Sequence, residues 1–357
     1  YCYNLTTKQT RQLTDFKAFD VNWPSLGPGA IVFENGGQLY VFDLKTEKAA
    51  KITVHLPGDR TLAQKRWASV SKLISDFDLS PDGKRAVFTA RGGVYTVPAK
   101  EGSIRNLTRT PGIREKYSAW SPDGKWIAYL SDRTGEDELY IVPQDGMGSE
   151  IRVTTDGKMF RLPPLWSPDS KKLLFADKEL RLFYVDTEVK TPVLIDQGKY
   201  DDLTDYAWSP DSQWVAYAKG AENLNDVIYL YSLKDQKITP VTTSFTHSWN
   251  PVFDPEGKYL CFLSNRDFNE VISVFDFEFA NLKATRVYVV TLRADLPSPF
   301  APKSDEAGAK EEEKPSAAKE EAKPEVKPGT REVPKDFRID LAGIADRVVA
   351  LPVPPAN

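Results

Sequence analysis

The sequence is poor in the residues from which most active sites are built. Its 357 residues hold only two histidines and two cysteines. Cys2 and Cys261 offer neither a metal-binding spacing nor a disulfide framework. Cys261 alternates with apolar neighbours, so it reads as buried filler, and so few cysteines favour a reducing compartment. His55 stands beside LPGDR and His247 within SFTHSWN, each without a second His or Cys nearby, so no metal site is expected. No GxSxG elbow, P-loop, HExxH or GxGxxG is present, and no cofactor is expected. No apolar run reaches the roughly 18 residues that would suggest a membrane-spanning helix. A net charge of −4 is too mild to imply nucleic acid or an anionic membrane as partner. Helical periodicity is nearly missing before residue 300.

What the chain has instead is one phrase, repeated. AWSPDGKWIAYLSD (119–132) returns as PLWSPDSKKLLFAD (164–177), YAWSPDSQWVAYAK (206–219) and PVFDPEGKYLCFLS (251–264). Aligning on the turn gives anchors at Ser80, Ser121, Ser167, Ser209 and Asp254, spaced 41, 46, 42 and 45 residues apart. A looser copy occupies residues 21–53. Periods in the low forties with several short strands per unit mark a β-propeller rather than a helical solenoid.

Each unit parses into four strands. A short first strand ends in an aromatic (Phe77, Trp120, Trp166, Trp208, Phe253) and runs into the Ser-Pro-Asp-Gly turn. Proline presets φ there, and Gly supplies the positive φ that closes a hairpin. In the second strand Trp126, Ala128 and Leu130 share one face, with Ile127, Tyr129 and Ser131 on the other. Strands apolar on both faces fit sheets sandwiched between neighbours. The expected fold is therefore all-β: a propeller of four-stranded antiparallel blades with six recognisable repeats. The opening YCYNLTTKQTRQLT supplies the third and fourth strands of a cut unit, which either completes six blades or belongs to a seventh.

The division expected is blades over 1–302, a disordered charged linker over 303–336, and a strand segment over 337–357 that re-enters the propeller as an incomplete last blade. The linker has eight basic and ten acidic residues and no aromatic, a composition that solvates itself and builds no core. Excursions at 54–74 and 266–286 are expected on the surface. The acidic run DRTGEDELY (132–140) lacks the ligand spacing of a calcium loop and reads as a hairpin tip. The Asn-Leu-Thr sequons at Asn4 and Asn106 fall at strand ends and read as structural.

In a propeller the first strand of each blade lines the central channel. The residues preceding the turns, Asp76, Arg114, Glu115, Lys116, Arg161, Asp202, Asp205 and His247, are thus the candidates for lining it and binding a peptide. The competing reading is that they are channel polar groups without a ligand.

Three stretches are more particular than the blades: NLTRTPGIREKYSAWSPDGKWIAYLSD (106–132), FLSNRDFN with TLRADLPSPFAPKSDE (262–269 and 291–306), and IDLAGIADRVVALPVPPAN (339–357). Together they resemble the propeller region of tricorn proteases, most closely the second, seven-bladed propeller, and the blades themselves resemble the TolB type. The resemblance implies a non-catalytic propeller that channels or gates oligopeptides to or from the catalytic region of a serine peptidase that degrades them. PDZ and catalytic regions of the parent, and further copies of it, are then the implied partners. The family's catalytic residues match no position here. The implied compartment is the cytoplasm, with an exported or periplasmic parent as the alternative. The competing functional readings are a stand-alone TolB-type protein-interaction module and the propeller of a prolyl-oligopeptidase-like enzyme.

Overall fold

The Ser-Pro-Asp-Gly turn is a small hydrogen-bonded device, and its repetition sets the register of the chain. In four copies the Ser hydroxyl donates to the Asp carboxylate two residues on: Ser80–Asp82 at 2.7 Å, Ser121–Asp123 at 2.6 Å, Ser167–Asp169 and Ser209–Asp211 at 2.5 Å. The same hydroxyl accepts the backbone N–H five residues on, at 2.9 Å in all four. The fourth turn residue has positive φ, 67° at Gly83 and 72° at Gly124. Glycine adopts that region without penalty.

The computed structural model describes residues 1–55, 57, 58, 64, 66, 68–268, 270–272, 278–281, 283–300, 334 and 336–356. Contacts divide the chain into two units, residues 1–68 and 69–357. The first unit carries a two-stranded ribbon, Cys2–Tyr3 with Thr10–Arg11, and one four-stranded sheet over Val21–Lys51. Phe16 packs edge-on against Phe33 and Tyr40, with centroids 5.7 and 5.0 Å away. Arg11 grips Glu47 with two bonds of 2.6 and 2.7 Å, tying ribbon to sheet.

The second unit holds five four-stranded antiparallel sheets in sequence order, here called blades two to six, the sheet of the first unit being blade one. They begin at the first strands Ile74–Leu79, Glu115–Trp120, Leu165–Trp166, Tyr206–Trp208 and Ser248–Phe253. The alternation read from the second strand of blade three is realised on both faces. Ala128 and Leu130 join Leu173 and Phe175 of blade four, while Ile127 and Tyr129 join Val87 and Val94 of blade two. Comparable clusters join blade four to five and five to six. Burial of the Val, Leu, Ile and Phe side chains among these stabilises each by about 1.5–3 kcal/mol, so these blades are held face to face by apolar area.

Two expectations need correction. Phe77 does not hold the aromatic position of blade two. Trp120, Trp166 and Trp208 directly precede the turn serine, and in blade two that place belongs to Leu79, paired with Ala86. Residues 337–357 return to the sheets as a strand segment, but they complete a blade instead of leaving one incomplete. Val348–Ala350 pairs with Arg286–Thr291 as the fourth strand of blade six, and Ile339, Leu341 and Ile344 pack into its core. Phe337 closes over Gly257, where an added Cβ would meet its ring at 2.5 Å. Blade six thus draws its outer strand from far along the chain. Of the expected linker at 303–336, only Pro334 and Asp336 lie within the described residues. The excursion at 266–286 contains the hairpin Glu270–Ile272 with Phe279–Asn281.

Candidate functional site

The candidate residues gather toward the starts of the first strands, at the blade ends opposite the Ser-Pro-Asp-Gly turns. Burial separates them into two groups. Glu115, Lys116 and Arg161 are enclosed, at 1, 5 and 3% exposure. A charge in such surroundings must be paired, and each is. Lys116 places its Nζ 2.6 Å from Asp137 and 3.3 Å from the centroid of the Phe160 ring. Burial pulls its ammonium below the ordinary lysine range, with Asp137 opposing the shift. Glu115 accepts from the Thr110 hydroxyl at 2.7 Å and faces Arg133 at 3.3 Å. Burial nevertheless raises its carboxyl above the ordinary value, because those partners only partly compensate. Arg161 bonds Asp156 at 2.8 Å and faces Glu138 at 3.4 Å, and its amide donates to Asp137 at 2.9 Å. Lys116 and Arg161 join blades three and four from within, and Glu115 is held inside blade three by Thr110 and Arg133.

The other five reach solvent. Arg114 is exposed, its amide held by Asp132 at 2.9 Å. Asp202 pairs with Lys178 at 2.5 Å. The Nδ1 of His247 accepts the Asp226 amide at 2.9 Å, and its ring lies 4.5 Å from that of Trp249. Asp76 and Asp205 share a structural duty that the sequence reading missed. Asp76 accepts the amide of Tyr117 in the next blade at 3.2 Å, and Asp205 accepts that of Asn250 at 2.9 Å. Tyr117 and Asn250 have φ of 57° and 52° and sit at breaks in the first-strand register. A bulge leaves a backbone group unpaired, and an Asp from the preceding blade satisfies it. The recurring Asp four residues before Ser80 and Ser209 is the sequence signal that could have found this.

A second unread pattern is a cross-strand aromatic pair in the middle of blades three to six with a cation over it. Tyr129–Tyr140, Phe175–Phe183, Tyr217–Tyr229 and Phe262–Tyr288 stack at 5.5–6.1 Å. Arg133 stands 4.4 Å from the centroid of Tyr140, Lys219 5.0 Å from that of Tyr229, and Arg266 4.8 Å from that of Tyr288. Lys219 is neutralised by Asp196 at 2.5 Å, and Asp196 also accepts the Tyr217 hydroxyl at 2.6 Å. No cluster of three or more His, Cys, Asp or Glu suited to a metal occurs among the described residues.

Sheets of four antiparallel strands, repeated in order and packed blade against blade, define a β-propeller. Residues 74–357 match the family described as the tricorn protease second beta propeller domain. The chain belongs to that family. It is 27% identical over 361 residues to a tricorn protease homolog of Saccharolobus solfataricus, a match covering 100% of this chain and 30% of that relative. A second, tricorn protease homolog 1 of Streptomyces coelicolor, is 27% identical over 359 residues, covering 97% of this chain and 32% of the relative. The crystal structure of the tricorn protease superposes with a TM-score of 0.65 at 21% identity, over 99% of this chain and 32% of that one. The chain therefore spans about a third of the length of the relatives it matches.

Proposed function

We propose that this chain is the non-catalytic propeller of a tricorn-like serine protease, guiding oligopeptides to or from a catalytic region elsewhere in the parent. The observation that carries the reading is the extent of the likeness. Tricorn homologs match this chain from end to end while it accounts for only a third of each. Chemistry then belongs to the remainder, and selection of substrates to the propeller. The accessible members of the candidate set, Asp76, Arg114, Asp202, Asp205 and His247, supply charges of both signs for meeting a peptide backbone and its termini. Propeller folds host many functions, so the assignment rests on family and surface together. A fluorophosphonate probe tests the division of labour. It should label the parent at one serine outside this segment and leave residues 1–357 unlabelled. Stoichiometric labelling of a serine within them would overturn the proposal.

A further inference from the structure

Blades three and six contain the same arginine in two different states. Arg133 lies two residues after Ser131 and Arg266 two after Ser264, each with its Nε on that serine hydroxyl, at 3.0 and 3.1 Å. Both guanidinium groups cover the aromatic pair beneath. Tyr140 and Tyr129 lie 4.4 and 5.9 Å from Arg133, and Tyr288 and Phe262 lie 4.8 and 5.6 Å from Arg266.

What surrounds the two cations differs. Arg133 is neutralised by Glu115 at 3.3 Å and by a short contact with Glu150, and it also reaches the Tyr129 hydroxyl. Register identifies the counterparts in blade six. Ser131 pairs with Glu115, and Ser264 pairs with Ser248. Tyr140 pairs with Arg152, two residues after Glu150, and Tyr288 pairs with Ala350, two residues after Val348. Ser248 and Val348 thus stand where the two carboxylates stood, and Phe262 lacks the hydroxyl of Tyr129. Arg266 keeps only neutral partners among the described residues, the Ser264 and Ser248 hydroxyls, the latter at 3.3 Å. The neighbouring Asp267 is committed to Arg286 at 2.5 Å and to the Tyr288 hydroxyl at 3.1 Å. Arg181, Lys219 and Arg161 also cover aromatic rings, and each of them has a carboxylate partner.

We propose that Arg266 is a binding site for a carboxylate supplied from outside the blade, from the C-terminus or an acidic side chain of a peptide. The fold itself indicates the ligand, because blade three fills the same place with carboxylates. A guanidinium over an aromatic face also presents a planar fork of donors that matches a carboxylate in two bonds. The inference stands on the comparison between blades and is independent of the guiding role proposed above.

Isothermal titration of the 357-residue chain tests it with three N-acetylated tripeptides: a free acid, its C-terminal amide, and an amide with an internal Glu. The free acid should bind, and Arg266→Gln should weaken it about tenfold or more, the usual worth of a charge-assisted hydrogen bond. Val348→Glu rebuilds Glu150 in blade six and should have the same effect on binding. It therefore decides the matter if Arg266→Gln does not fold. Binding of the internal-Glu amide as well as the free acid would identify any peptide carboxylate as ligand, and binding of the free acid alone would identify the C-terminus. Equal binding of the free acid and the plain amide, no binding by any of the three, or unchanged binding in Val348→Glu would overturn the proposal.

Discussion

Replacing Lys116 by methionine separates a wall-lining lysine from a buried structural one. Lys116 and Asp137 have side-chain exposures of 6 and 9%, and their charges meet at 2.6 Å. Methionine retains the apolar stem against Phe160 but leaves the Asp137 carboxylate buried and uncompensated. Breaking such a pair from one side costs about 3–5 kcal/mol, whereas loss of an exposed lysine costs well under 1 kcal/mol. In a unit the size of residues 69–357 the larger figure lowers the melting temperature by roughly 5–8 °C. The companion Lys116→Met/Asp137→Asn removes both charges while keeping an oxygen for the Arg161 amide, and should recover most of the loss. Urea titration of the wild type, the single and the double variant gives the three free energies directly. A single variant within about 1 kcal/mol of wild type, or a double variant no better than the single, would refute the reasoning.

Two further outcomes concern the turns. In blades four and five the fourth turn residue is serine, with φ of 60° at Ser170 and 59° at Ser212, and these hydroxyls accept the amides of Asp123 and Asp169 from the preceding blades at 2.9 and 3.1 Å. Ser212→Ala keeps the unfavourable φ and orphans the Asp169 amide, so it should cost about 1–3 kcal/mol by chemical denaturation; Ser212→Gly relieves φ and should cost less, and the reverse order would contradict the latch. Burial alone would raise the Asp169 carboxyl, but the Ser167 hydroxyl, Lys172 and the Lys171 amide together hold it below the ordinary 3.8. The unfolded chain then binds the proton more readily, so this stabilisation is present above 3.8 and lost as pH falls further. Asp169→Asn should accordingly flatten the acid limb of the stability profile, and an unchanged limb would contradict the assignment.

The blades were legible because their causes are local. A turn needs Pro, Asp and Gly at fixed offsets, and a strand buried on both faces needs uninterrupted apolar residues, so Ala119–Asp132 announces its own structure. The same locality explains the errors. Aromatic character alone points to Phe77 as the anchor of blade two, whereas register puts Leu79 there. Val348–Ala350 reads as part of an incomplete blade because its partner, Arg286–Thr291, lies some 60 residues earlier and no short-range signal joins them. The candidate site was legible as a set of charges but not as two groups. Arg114 and Glu115 are adjacent in sequence, yet one is exposed and the other enclosed. That difference is made by Arg133, Thr110 and the packing between blades, none of which a single strand records. The substitution of Ser248 and Val348 for two glutamates became visible only once register had aligned one blade on another.

The guiding role is tested most directly in the parent protease by reversing accessible charges at the strand ends, Arg114→Glu and Asp202→Lys. Steering by surface charge changes encounter rates by tenfold or more at low salt and is screened as salt rises. Turnover of acidic and basic oligopeptides should shift in opposite directions in each variant, and the shifts should shrink at high ionic strength. Turnover of an uncharged single-residue amide should stay unchanged. Rates that do not respond to the reversals, or that change equally for long and single-residue substrates, would contradict a propeller that guides peptides to a separate catalytic region.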